Sequence, residues 1–243
     1  MNFPLLCGAF VAIAVNAPAP APAPDEEAGA VGQWLQQRVM QAAAQASTSP
    51  AGSYRVVQLA DLDAPEEVKQ QLRADIERSN GVVQAAAGNI PSQAEMLAAV
   101  PRTQRSASEL RQRLPQPPSS LEASVLGPAE LIGMEPSGAL EGGRSSGLSR
   151  FFQLEGVGVV EFSENNFVAA GTRIEVIAEA QNTTVKGAPA HVKKSADSAG
   201  RTRVELAWTG DSKTYSLIAT GERGSDVERN ARVLHDIAAD IVD

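Results

Sequence analysis

Two pairs of closely spaced glutamates are the residues of this chain best suited to acid and base chemistry. Glu161 and Glu164 form one pair, and Glu175 and Glu179 form the other. Two carboxyl groups that flank a bond can serve as general acid and general base, as in glycoside hydrolysis. Charged residues that alternate along the exposed face of a strand produce the same spacing. We expect this second explanation to hold, and we assign no catalytic residue to either pair.

The histidines and the cysteine do not form a recognisable metal or nucleophile motif. His191 and His235 lack a second ligand at the spacings typical of zinc sites. Cys7 is the only cysteine, which excludes an intrachain disulfide and a multi-cysteine zinc site. We expect both histidines to lie at the surface or near a helix cap, and we predict no bound metal.

Phosphate-binding loops and nucleophile elbows are also missing from the sequence. Gly156-Val157-Gly158 lacks the third glycine and the following helix of a dinucleotide-binding motif, so it predicts a bend and no cofactor. The serines have no general base close to them in sequence. A triad assembled only in space stays open, and a serine- or carboxylate-dependent hydrolase is therefore the second alternative function. A single cysteine favours a bacterial-type envelope protein over a small disulfide-dependent secreted domain. Asn182-Thr183-Thr184 fits a glycosylation sequon, but in a bacterial-type chain it is more typical of a turn.

The charge of the chain excludes one large class of partners. The formal net charge is -8 at pH 7, and no run of Lys or Arg offsets it. Phosphate backbones and anionic lipid surfaces repel a chain of this kind. We therefore expect no nucleic-acid partner.

The N-terminus has the character of an export signal. Phe3–Val15 is an uninterrupted apolar run, too short for a stable membrane span, and small-residue sites follow at Ala12-Ile13-Ala14 and Val15-Asn16-Ala17. We predict a signal-like segment over residues 1–17 and an extended Ala/Pro and acidic spacer over residues 18–30. The mature chain would then be periplasmic or extracellular, without a stable membrane span.

Residues 31–114 are predicted to form a series of short helices, with a short strand over Tyr54–Leu59. Apolar spacing predicts a helix over Val31–Ala46 and another that starts near Asp63 and ends at Asn80-Gly81. Two capping boxes predict two more helix starts. The predicted inward positions and caps are Trp34, Leu35, Val39 and Met40 in the first helix, Val68, Leu72 and Ile76 in the second, and the pairs Ser92/Glu95 and Ser106/Glu109.

The remaining chain divides into a connector and a β-rich domain. Residues 115–149 are dense in Pro, Gly and Ser, which predicts a connector that follows the protein surface in places. Residues 150–243 are predicted to form an antiparallel sheet, including a hairpin over Arg203–Thr220, closed by a terminal helix capped by Ser225 or Asp226. The predicted fold class is α+β. Further predicted strands are Val157–Phe162 and Arg173–Ala178, and the inward stripe of the helix is Val227, Ala231, Leu234, Ala238 and Ile241.

One combination of motifs in this last region resembles a known group of modules. It consists of Val185–Ala190, Glu205-Leu206-Ala207-Trp208, Tyr215-Ser216-Leu217, and the terminal helix through Ile237–Ile241. This order resembles the uncharacterised extracytoplasmic modules of bacterial anti-sigma-type regulators and related envelope lipoproteins. The resemblance implies a sensing or binding module and supplies no catalytic residue.

The sequence therefore predicts an exported, non-catalytic envelope protein that acts as a protein-binding or sensing module. The first alternative is a soluble carrier that holds an apolar ligand between the sheet and the terminal helix. The expected partner is an envelope protein or an apolar ligand.

Overall fold

The computed structural model describes residues 10–13, 29–45, 52–138, 140–221 and 223–243. Five α-helices, three short 3-10 helices and eleven strands lie within these ranges. The helices are α1 (Ala30–Gln45), α2 (Glu66–Ser79), α3 (Gln93–Ala99), α4 (Ala107–Arg113) and α5 (Val227–Asp240). The strands are β1 (Phe10–Ile13), β2 (Ser53–Val57), β3 (Val82–Ala85), β4 (Glu130–Ser137), β5 (Gly147–Leu154), β6 (Gly158–Asn166), β7 (Arg173–Ile177), β8 (Thr183–Val185), β9 (Ala188–Asp197), β10 (Thr202–Thr209) and β11 (Lys213–Gly221).

The first of two compact units comprises Met1–Arg78 and Phe167–Gln181. Its three-stranded sheet has the order β1-β7-β2, with β7 antiparallel to β1 and parallel to β2. Helix α2 buries the three aliphatic residues that its spacing predicts. The small core contains Trp34, Leu59, Leu62, Val68, Leu72, Ile76, Ile177 and Ala180.

Helix α1 (Ala30–Gln45) lies close to the predicted helix Val31–Ala46, but not all of its predicted inward side chains are buried. Trp34 is 7% exposed, whereas Met40 is 68% exposed. Residues 34 and 40 are six positions apart, which places them about 120° apart around a helix, so they do not point in the same direction. The inward prediction for Met40 is therefore wrong, and that for Val39 lies outside the described side chains.

The second unit comprises Ser79–Asn166 and Asn182–Asp243 and is built on an eight-stranded sheet. The strand order is β3-β9-β10-β11-β6-β5-β4, and β8 also pairs with β9. All neighbours are antiparallel except β3 and β9, which are parallel. The predicted hairpin is β10 and β11, with a turn over residues 210–212 that is closed by a Gly210 N to Lys213 O hydrogen bond of 2.9 Å.

Helix α5 covers one face of this sheet. Asp226 is its cap, accepting hydrogen bonds from the backbone amides of Glu228 and Arg229. Leu234 and Ile237 are fully buried against Leu206 and Leu217. Each large aliphatic side chain buried in this way contributes on the order of 1.5–3 kcal/mol to the unfolding free energy. The terminal helix packed on an antiparallel sheet, together with the helical N-terminal region, confirms the predicted α+β class.

The two predicted capping boxes are present, but strand β7 and the region 115–149 differ from their predictions. Ser92 caps α3 with Glu95, and Ser106 caps α4 with Glu109. Strand β7 pairs with β1 and β2 and does not join the sheet of residues 150–243. The sequence predicted the strand but not its neighbours, because a strand pattern does not specify which strands pair. The region 115–149, predicted as a connector, supplies all of β4 and the start of β5.

The Pro/Gly/Ser density of that region marks the turns around β4. Its apolar residues Ile132 and Met134 are each 6% exposed. The structure thus gives the segment a place in the sheet of the second unit. The five-part division of the chain into domains stays a prediction.

Candidate functional site

The first predicted carboxylate pair does not form a pair in the structure. Glu161 and Glu164 lie on the same strand, β6, three residues apart, so their side chains are on opposite faces of the sheet. Glu161 is half-buried and accepts a hydrogen bond of 2.9 Å from the Ser163 hydroxyl. Glu164 is 5% exposed, which corrects the expectation that these carboxylates line a solvated face.

The second pair is also taken up by separate partners. Glu175, 1% exposed, accepts hydrogen bonds from the guanidinium groups of Arg55 and Arg38. The backbone amide of Leu59 donates a bifurcated hydrogen bond to the Glu179 carboxylate, with N···O distances of 2.9 and 3.0 Å. Each carboxylate therefore fixes one local element of the first unit, and Glu175 too is buried rather than exposed.

The two histidines differ from one another. His191 lies on β9 and is 4% exposed, so its predicted surface position is wrong. His235 lies half-buried on α5, with its Nε2 atom 3.3 Å from the Thr183 hydroxyl. Burial lowers the pKa of His235 below its ordinary value, and the nearby Asp236 carboxylate opposes this shift only in part.

The main concentration of ionisable groups in the second unit lies around Glu164. We call it the Glu164 cluster. It consists of Ser119, Arg150, Glu164, Lys213, Tyr215 and Asp243.

Glu164 accepts hydrogen bonds from two cations and from one loop residue. Arg150 Nη2 lies 2.9 Å from its Oε1 atom, and Lys213 Nζ lies 2.9 Å from its Oε2 atom. The Ser119 backbone amide donates to the same carboxylate at 3.0 Å, and the Ser119 hydroxyl lies 2.8 Å away. These bonds satisfy a carboxylate that would otherwise be very costly to bury.

Asp243 forms the second anionic centre of the cluster. Both of its carboxylate oxygens lie within 2.6 Å of the Tyr215 hydroxyl, which donates its hydrogen there. Burial alone would raise the pKa of Asp243, but hydrogen bonds from Ser119 and Tyr215 and the charge of Lys213 hold it below its ordinary value. Burial and the same carboxylate raise the pKa of Tyr215 well above 10.

A stack of rings and one guanidinium group supports these polar contacts. The Trp208 and Tyr215 rings stack with centroids 5.0 Å apart, and Phe162 stacks 6.2 Å from Tyr215. The Arg150 guanidinium lies 5.0 Å from the centre of the Phe162 ring. Rings and ions together fix the side-chain positions at this end of the core.

The Glu164 cluster contains a serine and a lysine in contact, but the partners of the lysine and the burial of the serine do not favour nucleophilic chemistry. Lys213 Nζ lies 3.0 Å from the Ser119 hydroxyl, the distance expected of a serine with a lysine base. The same Nζ atom is engaged by the Glu164 carboxylate at 2.9 Å and lies 3.6 Å from that of Asp243, so its contacts are those of an ion-pair partner. Ser119 is also only 2% exposed, so a substrate has no access to its hydroxyl.

A small, partly open cleft borders the cluster. Glu164, Lys213 and Asn166 line its polar side, and Leu114 and Leu148 are among its apolar residues. Glu164 and Lys213 are already engaged in the bonds described above. We therefore interpret the Glu164 cluster as a structural centre that fixes the loop at Ser119 and the chain end at Asp243.

Sequence reasoning missed this cluster because its members come from distant segments. The alternation of β6 nevertheless contains a signal, since Glu164 occupies the same face as Val160 and Phe162. Lys213 similarly shares a face with Tyr215 and Leu217. A charge at an inward position of a strand predicts a buried partner, although not its identity.

The edges of the eight-stranded sheet form a second candidate site, because unpaired strand edges can bind other chains. On β4, the Met134 amide donates to Thr103 O at 2.8 Å, and Gln104 Nε2 donates to Leu131 O at 3.1 Å. On β9, the Asn182 side chain donates to Val192 O at 2.9 Å and accepts from Val192 N at 2.8 Å. These two edges are therefore covered.

The edge of β3, in contrast, is not covered in this way. Within the described residues, Val82–Ala85 have no hydrogen-bonding neighbour other than β9. Val82 is 43% exposed, one of the few large apolar side chains of the second unit with that much solvent contact. We refer to Val82–Ala85 and its outer side as the β3 edge.

Within the described ranges, neither a metal site nor a membrane span is found. No three His, Cys, Asp or Glu side chains there come together so as to hold a metal ion. None of the described helices is both long enough and apolar enough to cross a bilayer.

Comparison with known proteins gives no relative for this chain. It matches no protein-family model, no curated protein and no solved structure.

Proposed function

We propose that this chain is an exported, non-catalytic envelope protein that acts as a protein-binding or sensing module. The observation that carries the proposal is the β3 edge. A sheet whose β4 and β9 edges are covered and whose β3 edge is open has the form of a binding scaffold. The resemblance of residues 185–241 to extracytoplasmic modules supports the same class.

The proposal of export rests on the N-terminal sequence. The apolar run Phe3–Val15, the small-residue sites and the Ala/Pro spacer have the order of a secretory signal followed by a linker. Apart from β1 (Phe10–Ile13), this segment lies outside the described residues. Cleavage after Ala14 or Ala17 would remove β1 and leave β2 as the described neighbour of β7.

The two alternative functions have less support. A carrier would need space between the sheet and α5, yet Leu206, Leu217 and Leu234 are each 0% exposed in that layer. A hydrolase would need a reachable nucleophile, and Ser119 is buried between charged partners. Neither alternative is favoured by a specific feature of the structure.

Fractionation combined with crosslinking tests the proposal. A tagged full-length chain is expressed in a Gram-negative host, and we expect a shortened form in the periplasmic fraction. A photo-crosslinking residue at position 82 should then give discrete adducts with an envelope protein, and the same residue at exposed position 239 on α5 should not. A chain that stays in the cytoplasm at full length contradicts export, and identical adduct patterns from both positions contradict a specific binding surface.

A further inference from the structure

The β3 edge, although short, differs from the β4 and β9 edges because no charged side chain, proline, bulge or covering segment blocks it among the described residues. Strand edges are usually blocked by charged side chains, proline, bulges or a covering segment. The β4 edge has Thr103 and Gln104, and β9 has Asn182. The β3 edge has none of these within the described residues.

The sequence around β3 is free of charge over a long stretch. No charged residue occurs between Arg78 and Glu95, and β3 itself reads Val-Val-Gln-Ala. Gln84, in the middle of the strand, is exposed. A strand with β-branched residues and no charge can pair with an added strand without repulsion between side chains.

The size of the edge argues against a second copy as its occupant. Stable protein pairs bury about 800 Å² per partner and use roughly 20–30 residues on each side. Pairing of two four-residue strands falls far short of this, and the net charge of -8 makes two copies repel each other. An extended peptide needs less area, because its main chain supplies most of the contacts.

The charge of the chain also indicates the flanks of such a peptide. A net charge of -8 attracts a segment with basic ends and speeds its association. The centre of the segment faces the uncharged strand, where buried charges would be unfavourable.

We propose that the β3 edge binds an extended segment of a partner protein by strand addition, and that this segment has an uncharged, β-branched centre and basic flanks. This inference rests on the proposed binding function and names the partner's chemistry. The segment adds a strand beside Val82–Ala85 and so extends the eight-stranded sheet.

Titration of the ¹⁵N-labelled full-length chain with a capped peptide KTVTVTVK tests the inference. We expect amide shifts at Val82–Ala85 that saturate with peptide. The substitution Gln84→Lys places a blocking charge on the edge and should weaken binding at least about tenfold. Gln112→Lys, the same change at an exposed position on α4, should leave binding unchanged, and both variants should keep the parent Tm.

Several results would overturn the inference. These are shifts that map away from β3, no binding at millimolar peptide, or equal affinity for a peptide N-methylated at alternate amides. Equal affinity for the glutamate-flanked peptide ETVTVTVE would remove the basic flanks from the proposal. Concentration-dependent shifts at β3 without peptide would assign the edge to a second copy. If a partner crosslinks from position 82 and Gln84→Lys does not reduce its capture, this inference is wrong, whereas the proposed binding function is not contradicted.

Discussion

At the scale of single residues, the buried charges of this protein are readable from strand alternation, but their partners are not. Glu164 and Lys213 both occupy inward positions, and the structure places their charged atoms 2.9 Å apart. They are separated by 49 positions in sequence. The alternation of inward and outward positions along a strand predicts that one charge is buried. Which cation lies next to it depends on how the strands pair.

Removal of the Glu164 carboxylate should destabilise the second unit strongly. Glu164→Ala leaves Arg150 buried without its anion and Lys213 with only Asp243 at 3.6 Å, and breaking a buried ion pair costs about 3–5 kcal/mol. We expect urea denaturation to show a loss of this order in the unfolding free energy. Glu135→Ala, at an exposed position on β4, is the control and should change stability by less than about 0.5 kcal/mol. Equal effects of the two substitutions would show that the Glu164 cluster is not a structural centre.

Asn182 should protect the backbone of β9 at a single residue. The Asn182 side chain bonds to the backbone of Val192 where no neighbouring strand is present. The substitution Asn182→Ala therefore exposes the backbone amide of Val192 to water. Hydrogen exchange at Val192 should become faster by at least about tenfold, because a protecting hydrogen bond is lost. Thr184→Ala, at an exposed residue two positions away, should not change the exchange rate at Val192. Unchanged exchange in Asn182→Ala would rule out this role for the side chain.

At the scale of elements, residues 241–243 after α5 are held in place by several hydrogen bonds, and we call this segment the strap. Val242 exchanges backbone hydrogen bonds of 2.7 and 3.1 Å with Ser120. The Lys186 ammonium donates to the carbonyl of Ile241, and Asp243 joins the Glu164 cluster. The end of the helix is thus fixed to a loop, a hairpin turn and a strand.

The strap should weaken at acid pH. The folded pKa of Asp243 lies below its unfolded value, so its contribution is fully present above about pH 3.9 and is lost as the pH falls through the folded value. Tyr215→Phe removes the hydroxyl that holds this carboxylate. We expect a loss of about 1 kcal/mol at pH 7, since hydrogen bonds to charged groups contribute more than this but Asp243 is partly exposed.

The pH dependence of that loss provides the check. Chemical denaturation from pH 7 to pH 2.5 should show the gap between parent and Tyr215→Phe narrowing as Asp243 becomes protonated. Above pH 10 the parent should lose stability that the variant keeps, because the unfolded tyrosine ionises before the buried one. Asp240→Asn, on the exposed side of α5, serves as the control for general charge effects. A gap that is constant across the whole range would refute the assignment.

The elements that sequence patterns predicted are those whose signal is local. Capping boxes marked α3 and α4, spacing marked α2 and α5, and alternation marked the β10–β11 hairpin. Strands β3, β4 and β5 are among those that were not predicted; β3 is only four residues long, and β4 contains Gly133 and Pro136. The Glu164 cluster and the β3 edge depend on long-range pairing, and no local pattern encodes that.

At the scale of the whole molecule, the chain leaves the first unit and later returns to it. Residues 167–181 belong with the first unit, although the second unit precedes and follows them in sequence. Residues 79–149 in turn supply β3, β4, α3 and α4 to the second unit. The compact units are therefore discontinuous, which a linear reading of composition does not predict.

This connectivity predicts the behaviour of fragments. A fragment of residues 150–243 lacks both edge strands and the Ser119–Ser120 partners of the strap, so it should not unfold cooperatively. A fragment of residues 79–243 contains the whole second unit and should show a cooperative transition. Thermal denaturation followed by circular dichroism compares the two. A cooperative transition in the shorter fragment would support the predicted boundary at residue 150 instead.

The two tryptophans are distributed so that each compact unit contains one. Trp34 lies in the core of the first unit, and Trp208 lies in the second, stacked on Tyr215. The protein therefore has a separate intrinsic fluorophore in each unit, and the second one has a tyrosine donor in contact with it. With Trp34→Phe or Trp208→Phe, emission from the remaining indole reports the melting of one unit without a chemical label.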